Sequence, residues 1–327
     1  MNQTALSRRL FIGTAAAAVA TLKTQQLFAQ RAPAFKTKLL KALIAPAADV
    51  ATCERIAKAG FSGFEIQQKE ASIEKARAGR KCAEQHGLKI HSLMYGWAQF
   101  NHATEEARRK SIDDAKRALE ITAEFGATAM LLVPCRIDGK MPAPSQFNIA
   151  FDPVTLKMTR AAEGPEVFAE YIEKQNIATE RSRAAVEELI PIAEKHNVVI
   201  GLENVWNNLW VKPDFAAAFV KSFKNKCVRP YLDLGNHVRY AQTEAWLRAV
   251  GSDIIRLHIK DFKINREAKN EGGFVPIGKG SIDWISIRKV IEEIGYDGWV
   301  SIESGGYSDA EHSAMMDRFF AGTPILG

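Results

Sequence analysis

The chain has 327 residues, of which 46% are hydrophobic and 25% are charged. These fractions are those of an ordinary globular protein and exclude a disordered or collagen-like chain. The length allows one large barrel or two medium domains. The formal charge of +6 is mild and demands no nucleic acid partner.

Residues 1–29 resemble a twin-arginine (Tat) export signal. Ser7, Arg8 and Arg9 precede Phe11 and an alanine-rich stretch that is too short and too weakly apolar for a transmembrane helix. Cleavage after Ala29 removes three basic residues and no acids, which leaves a mature charge of +3. We therefore expect a protein that is exported folded, works in the periplasm and has no membrane attachment once the signal is removed.

Strand and helix patterns alternate after a polar linker at about residues 30–37. The first half of the chain shows four apolar runs with strand-like sequence, and an amphipathic helix follows each of the first three. Gly126 ends the longest of these helices, over 103–125. The predicted strands are Lys38–Ala45, Phe61–Gln67, Leu88–Tyr95 and Thr128–Val133.

The second half repeats the same unit four more times. Eight strand–helix units over about 290 residues are typical of the α/β class, and of a single (β/α)8 TIM barrel over residues 38–327. No strand is followed by the Gly-x-Gly-x-x-Gly pattern of dinucleotide-binding folds. The predicted strands are Val198–Glu203, Val228–Asp233, Ile254–His258 and Trp299–Glu303, with a last helix over about 308–320.

A long insertion at about 135–180 interrupts this alternation after the fourth strand. It contains Pro142, Pro144, Pro153 and Gly164, and it is too long for a simple loop between a strand and a helix. On the catalytic side of a barrel such a segment forms a lid or a substrate subsite. The alternative is a surface insertion without function.

Four residues that bind divalent metals end the last four strands: Glu203, Asp233, His258 and Glu303. Strand ends of a parallel barrel meet at one mouth, and the residues flanking each candidate are apolar, as the outward face requires. A lone acid at such a position is usually a helix cap or an ion-pair partner, but the joint pattern favours a metal site. Three carboxylates and one imidazole suit Mn²⁺, Mg²⁺, Co²⁺ or Zn²⁺.

Other polar and aromatic residues are expected near the same mouth. Glu65 ends the second strand and is predicted to bind a substrate hydroxyl or to support a neighbouring side chain. Lys260, two positions after His258, should point inward and polarise a substrate oxygen. Asn204 and Trp206 follow the fifth strand, where an amide could hydrogen-bond a substrate hydroxyl and an aromatic ring could stack on an apolar face of a ligand. The four cysteines lack CxxC spacing and are predicted to be free thiols.

Five phrases of the sequence carry a family resemblance: Gly60–Ile66, Gly201–Asn204, Leu232–Asn236, His258–Asp261 and Pro276–Asp283. They resemble the xylose isomerase-like TIM barrel superfamily, which includes sugar isomerases, sugar epimerases and the endonuclease IV fold. The resemblance implies one divalent metal, with Mn²⁺ as the leading choice, held by Glu203, Asp233, His258 and Glu303. It implies that Glu203 and Glu303 are the catalytic acid and base.

Relatives in this superfamily commonly use a histidine shortly after the aspartate to bind substrate. Here His237 lies four positions after Asp233, whereas the epimerase pattern has it at three. A substrate-binding role and a supporting or surface role for His237 therefore stay open.

The leading interpretation is an exported metal-dependent sugar isomerase or epimerase, which transfers a proton next to a carbonyl through an enediolate. The first alternative is a lyase on the same scaffold, cleaving a 3-keto-glycoside or dehydrating an inosose. Less favoured are an endonuclease IV-like phosphodiesterase, which needs more histidines and a basic surface, and a non-catalytic sugar binder. The expected partner is a small carbohydrate, with no nucleic acid, and the resemblance allows a homo-oligomer.

Overall fold

Parallel strands at the centre of the molecule close into a barrel, in a computed structural model that describes residues 35–164 and 166–326. Each strand pairs with the next one along the chain, and the last strand closes on the first through pairs from Leu39–Gly298 to Leu43–Ile302. The predicted (β/α)8 barrel is thereby confirmed. The predicted export signal and residues 30–34 of the linker lie outside the described residues.

The eight barrel strands are short and separated by helices in the order that the sequence pattern predicts. Their C-terminal ends all point to one mouth, because all pairs between them are parallel. The strands are β1 (Leu39–Ala45), β2 (Gly63–Ile66), β3 (Lys89–Trp97), β4 (Ala129–Val133), β5 (Val199–Glu203), β6 (Val228–Asp233), β7 (Arg256–Ile259) and β8 (Gly298–Ile302).

Helices surround the barrel, and side-chain caps fix where several of them begin. Asp49, Ser72, Thr104, Asp283 and Ser308 each accept a hydrogen bond from a backbone N–H of the first turn. The helices are α1 (Val50–Lys58), α2 (Ile73–Gln85), α3 (Glu105–Glu124), α4 (Ala169–His196), α5 (Pro213–Lys221), α6 (Thr243–Val250), α7 (Trp284–Glu293) and α8 (Asp309–Ala321).

Apolar side chains divide into a large outer core and a small inner one. Leu202, Leu232 and Leu257 belong to the outer core, together with the buried faces of the helices. Leu131 and Tyr231 belong to the inner core. Since successive side chains of a strand face opposite sides, the outward leucines direct the neighbouring acids and His258 into the barrel.

Two hairpins extend the mouth beyond the strand ends. The insertion hairpin (Phe147–Phe151 with Met158–Ala162) follows β4, and the β7 hairpin (Asp261–Ile264 with Gly272–Val275) follows β7. They are linked by Ser145, which donates from its backbone N–H and its hydroxyl to Glu271. Because α4 begins at Ala169, the last part of the predicted 135–180 insertion is helical.

Among the described helices, none combines the length and the apolar character that a membrane crossing requires. All four cysteines are free thiols, as expected for a protein that folds in the cytoplasm before export; Cys53 and Cys135 are buried, and Cys82 and Cys227 are half-buried.

Candidate metal centre

The mouth brings together the four predicted metal ligands, one from each of the strands β5, β6 and β7 and one, Glu303, directly after β8. One ligand atom from each of Glu203, Asp233, His258 and Glu303 lies within 4.8 Å of all the others. The imidazole Nδ1 of His258 lies 2.9 Å from Glu303 Oε2 and 3.8 Å from Glu203 Oε1. The side chains of Asp233 and His258 are fully buried, and that of Glu303 is 31% exposed on the solvent side.

Three atoms of this cluster are buried and have no hydrogen-bond partner: Asp233 Oδ2, His258 Nδ1 and Glu303 Oε2. Asp233 uses its other oxygen to accept from the backbone N–H groups of Gly235 (2.8 Å) and Asn236 (2.6 Å), and its Oδ2 accepts no hydrogen bond. Buried polar atoms normally have a partner, because an unpaired one loses the hydration it had in the unfolded chain. Convergent unpaired acceptors from carboxylates and an imidazole therefore fit a divalent cation.

A second layer of hydrogen bonds orients His258. Its Nε2 lies 3.3 Å from Glu65 Oε2, and the hydroxyl of Tyr231 donates to the same carboxylate. When a cation displaces the proton from Nδ1, the remaining proton stays on Nε2 toward Glu65 and the Nδ1 lone pair faces the cluster, which is the arrangement that metal-binding histidines commonly show. Gly201 makes room for this bridge, since a Cβ there would lie 2.8 Å from the Tyr231 ring.

Glu65 is therefore placed behind the imidazole with 0% exposure, in contact with Tyr231 and His258. This is the supporting role that the sequence left open beside substrate binding. Its assignment as a substrate-binding residue stays a prediction.

Lys260 points inward, at the edge of the cluster. Its ammonium lies 2.9 Å from Glu303 Oε1 and 3.6 Å from Asp233 Oδ2. Burial disfavours the charged amine, but the carboxylates of Asp233 and Glu303 outweigh it and raise the pKa of Lys260 above its ordinary value. Lys260 is therefore a permanent cation that shares Glu303 with the metal position.

Two asparagines tie the strand ends together. Asn204 accepts from the backbone N–H of Asp233 (2.7 Å) and donates to the Asp233 carbonyl (3.0 Å), which locks β5 to β6. Asn236 donates to Glu203 Oε1 at 3.3 Å and accepts from Lys260 at 3.3 Å. Sequence reasoning singled out Asn204 but missed Asn236, although the phrase Leu232–Asn236 contains it.

Trp206 stands at the rim, between an arginine and a phenylalanine. Its indole N–H donates to the Asn236 carbonyl at 2.5 Å, the guanidinium of Arg239 lies 3.7 Å from its ring, and the Phe274 ring lies 4.8 Å away. Phe274 is 45% exposed and lines a cavity of about 340 Å³ together with Lys260 and Glu303. The aromatic surface that this cavity presents is thus Phe274, with Trp206 packed against it.

His237 is 2% exposed and folds into the loop after β6. Its Nε2 donates to the Val205 carbonyl at 2.9 Å, and its ring packs against Trp246 and Tyr240. Burial lowers the pKa of His237 to about 4. These contacts are those of a neutral, structural imidazole, and a direct role in substrate binding stays a prediction.

The two glutamates of the cluster have opposite acidities. Burial, opposed by His258 and reinforced by the charge of Glu303, raises the pKa of Glu203 to about 7. In the metal-free protein, Tyr231 and the surrounding carboxylates outweigh burial and raise the pKa of His258, so its ring is charged. Burial would also raise the pKa of Glu303, but the charges of His258 and Lys260 outweigh it and hold that pKa at about 2. Without a metal, the site therefore contains one carboxyl that can carry a proton near neutral pH beside one that is ionised.

The sequence can now be placed in a family. Residues 53–318 match the family described as xylose isomerase-like TIM barrel, and the chain belongs to that family. Among curated relatives, the uncharacterized protein MJ1311 of Methanocaldococcus jannaschii is 31% identical over 156 residues. That match covers 46% of this chain and only 50% of the relative, so the chain matches about half of its length.

Solved structures show the same fold at low sequence identity. A D-tagatose 3-epimerase-like protein superposes with a TM-score of 0.63 and 20% identity, covering 86% of this chain and 96% of that one. The 3-keto-D-glucoside 4-epimerase YcjR of E. coli gives 0.60 and 16%, with coverages of 87% and 99%. The IOLI protein with a bound zinc atom gives 0.60 and 18%, with coverages of 83% and 91%.

Proposed function

We propose that this protein is a divalent-metal-dependent sugar isomerase or epimerase that moves a proton next to a carbonyl. The observation that carries the proposal is the convergence of Glu203, Asp233, His258 and Glu303, with three of their ligand atoms buried and unpartnered. The adjoining cavity of about 340 Å³ has the size for a small ligand, and Lys260, Phe274 and Glu303 line it. Two solved structures of the same fold carry sugar epimerase names, which supports the substrate class.

A divalent ion held there supplies Lewis-acid stabilisation of the negative charge that develops on a sugar oxygen. The donor set lacks thiolates, so it suits ions that accept oxygen ligands, and Mn²⁺ is our leading choice. Asp233 and His258 hold positions that a substrate need not contact, because both side chains are fully buried.

The chain's own residues divide the proton transfer between them. Glu203 on β5 and Glu303 on β8 are separated in the barrel by β6 and β7, so they approach a substrate from different directions. One carboxylate removes the proton from the carbon next to the carbonyl, and the other returns a proton to the opposite face or the adjacent carbon. Lys260 holds Glu303 in place and offers an N–H to the oxygen that becomes negative.

A lyase on the same scaffold is the second candidate, and the enlarged mouth favours it. The insertion hairpin reaches the β7 hairpin through Ser145 and Glu271, and Phe147 packs on Tyr240 after β6. This additional wall, with the exposed ring of Phe274, would accept a glycoside larger than a free ketose. The same deprotonation would then expel the aglycone of a 3-keto-glycoside or the water of an inosose.

Solvent exchange distinguishes these activities. The mature protein is loaded with Mn²⁺ and incubated in D₂O with free ketoses, 3-keto-glycosides and inososes, and the products are read by NMR after chelation of the metal. We expect deuterium next to the carbonyl of a ketose, with the rate reduced at least about 100-fold in Glu303→Gln, since a positioned base contributes that much. Release of an aglycone or of water instead identifies the lyase.

Glu293→Gln is the matched control, because Glu293 is an exposed glutamate of α7 that pairs with Arg248. Its exchange rate should equal that of the wild type. Equal rates in Glu303→Gln and wild type, or no exchange with any compound while Mn²⁺ is bound, would contradict the proposal.

Export of the folded protein to the periplasm is part of the same proposal and rests on Arg8, Arg9 and the alanine-rich stretch that follows. Cell fractionation tests it. Replacing both arginines by lysine should retain the protein in the cytoplasm, and periplasmic recovery of that variant would contradict Tat export.

A further inference from the structure

A second group of metal-type ligands lies in the outer helix layer. Cys53 belongs to α1, Cys82 belongs to α2, and His86 caps the C-terminus of α2. One sulfur from each cysteine and one ring nitrogen of the histidine lie within 4.8 Å of one another. Cys53 is fully buried, whereas Cys82 and His86 are half-buried, so the group has a closed inner side and an open outer side.

The helix sets the geometry of two of these ligands. Cys82 and His86 are four residues apart and therefore lie on one face of α2. The Nδ1 of His86 lies 2.8 Å from the Cys82 carbonyl oxygen, which can only accept a hydrogen bond. Nδ1 therefore carries the proton, and in the neutral ring Nε2 keeps its lone pair. A ring nitrogen tied to a backbone carbonyl is the usual arrangement for a histidine that binds metal through its other nitrogen.

We propose that Cys53, Cys82 and His86 form a binding site for a thiophilic d¹⁰ ion such as Zn²⁺, separate from the carboxylate cluster. Two thiolates and one imidazole are soft or borderline ligands, which select zinc-like ions over Mn²⁺ or Mg²⁺. A tetrahedral ion with metal–sulfur bonds of about 2.3 Å holds its sulfurs roughly 3.8 Å apart, so the described spacing needs little adjustment. Water would complete the coordination from the open side.

The spacing favours a metal over a disulfide as the use of the two thiols. A disulfide requires sulfurs about 2.05 Å apart, and both cysteines are free thiols here. A bound ion would displace the thiol protons, and its affinity should therefore increase with pH.

Titration of the metal-free, reduced protein with Cd²⁺ tests the proposal, because cadmium thiolates give a charge-transfer absorption in the ultraviolet that carboxylate complexes lack. Excess Mg²⁺ occupies the carboxylate cluster during the titration. We expect one equivalent of Cd²⁺ to produce the band. Cys82→Ser and Cys53→Ser should abolish it, and His86→Gln should weaken Cd²⁺ binding at least about tenfold.

Cys227→Ser is the matched control, since Cys227 is another half-buried free cysteine, and Glu303→Gln is the control for the carboxylate cluster. Both should keep the full band.

A band that persists in Cys82→Ser would overturn the proposal, as would its absence from the wild type with all four thiols reduced. A count of only two thiols in denatured protein that has not been reduced would show a disulfide, and this result would also overturn the proposal. If Cys53→Ser fails to fold, Cys82→Ser and His86→Gln test the proposal in its place. The second measurement is thermal stabilisation by Zn²⁺, which should occur in the wild type and be absent from these two variants.

Discussion

At the scale of single residues, the buried carboxylate of Glu65 determines which nitrogen of His258 faces the other acids. Tyr231 donates to Glu65, so the carboxylate is left to accept from His258 Nε2. This chain of contacts crosses the barrel from β6 through β2 to β7. It holds a proton on Nε2 and leaves Nδ1 for the metal position, although Glu65 is not itself a proposed ligand.

Glu65→Gln should therefore weaken Mn²⁺ binding without changing any proposed ligand. The new amide can donate to His258 Nε2, which moves the imidazole proton to Nδ1 and removes the lone pair that faces the cluster. We expect the Kd for Mn²⁺, measured by calorimetry, to rise about 10- to 100-fold. Glu293→Gln should bind like the wild type, and the same result for a well-folded Glu65→Gln would sink the idea that Glu65 orients His258.

At the scale of elements, the alternation of strand side chains made most of the site predictable. Glu203, Asp233, His258 and Glu303 could be placed at one mouth because each ends an apolar run, and parallel strand ends meet. The inward direction of Lys260 followed from the same alternation. These inferences needed only local sequence and the closure of the barrel.

Contacts between distant elements could not be predicted in this way. The bridge from Tyr231 to Glu65 joins residues 166 positions apart and depends on the space left by Gly201. The inward turn of His237 toward Trp246 depends on loop geometry that no periodicity encodes. Helical sequence from Ala169 onward was included in the predicted insertion, because no side-chain cap marks the start of α4.

Glu271 is the contact that holds the insertion hairpin against the β7 hairpin. It accepts from the backbone and hydroxyl of Ser145 at 3.1 and 2.6 Å, and Arg266 donates to its other oxygen. Glu271→Gln weakens these charge-assisted hydrogen bonds, which typically contribute about 1.5–3 kcal/mol. We expect amide hydrogen exchange in the insertion hairpin to accelerate on the order of tenfold or more.

The matched control is Glu267→Gln, since Glu267 is an exposed glutamate of the same hairpin. In Glu267→Gln, amide hydrogen exchange in the insertion hairpin should be as fast as in the wild type. Protection that stays unchanged in Glu271→Gln would show that apolar contacts such as Phe147 with Tyr240 suffice to dock the insertion.

At the scale of the whole molecule, buried ionisable groups give opposing contributions to stability in acid. Burial lowers the pKa of His237 to about 4, so between pH 6.5 and 4 the unfolded chain binds a proton that the folded chain does not, and stability falls as pH falls. Burial raises the pKa of Glu203 to about 7, so in the metal-free protein the folded chain binds a proton that the unfolded chain does not between pH 7 and 4.5, and this group makes stability rise as pH falls. The pH dependence of the wild type alone therefore cannot isolate either residue.

A variant that removes only the imidazole separates the two contributions. His237→Gln retains a donor for the Val205 carbonyl but cannot be protonated. It loses the ring packing on Trp246 and Tyr240. It should therefore be less stable than the wild type at pH 7.5, where His237 is neutral in the folded and the unfolded chain. At pH 5 the wild type carries a penalty of about 2 kcal/mol from a folded pKa near 4 and an unfolded pKa near 6.5. The free energy of unfolding is measured for both proteins by urea denaturation. Between pH 7.5 and pH 5, the difference between His237→Gln and the wild type should shift by that amount in favour of the variant. A difference that stays the same at pH 7.5 and pH 5 would contradict the lowered pKa of His237 in the folded protein.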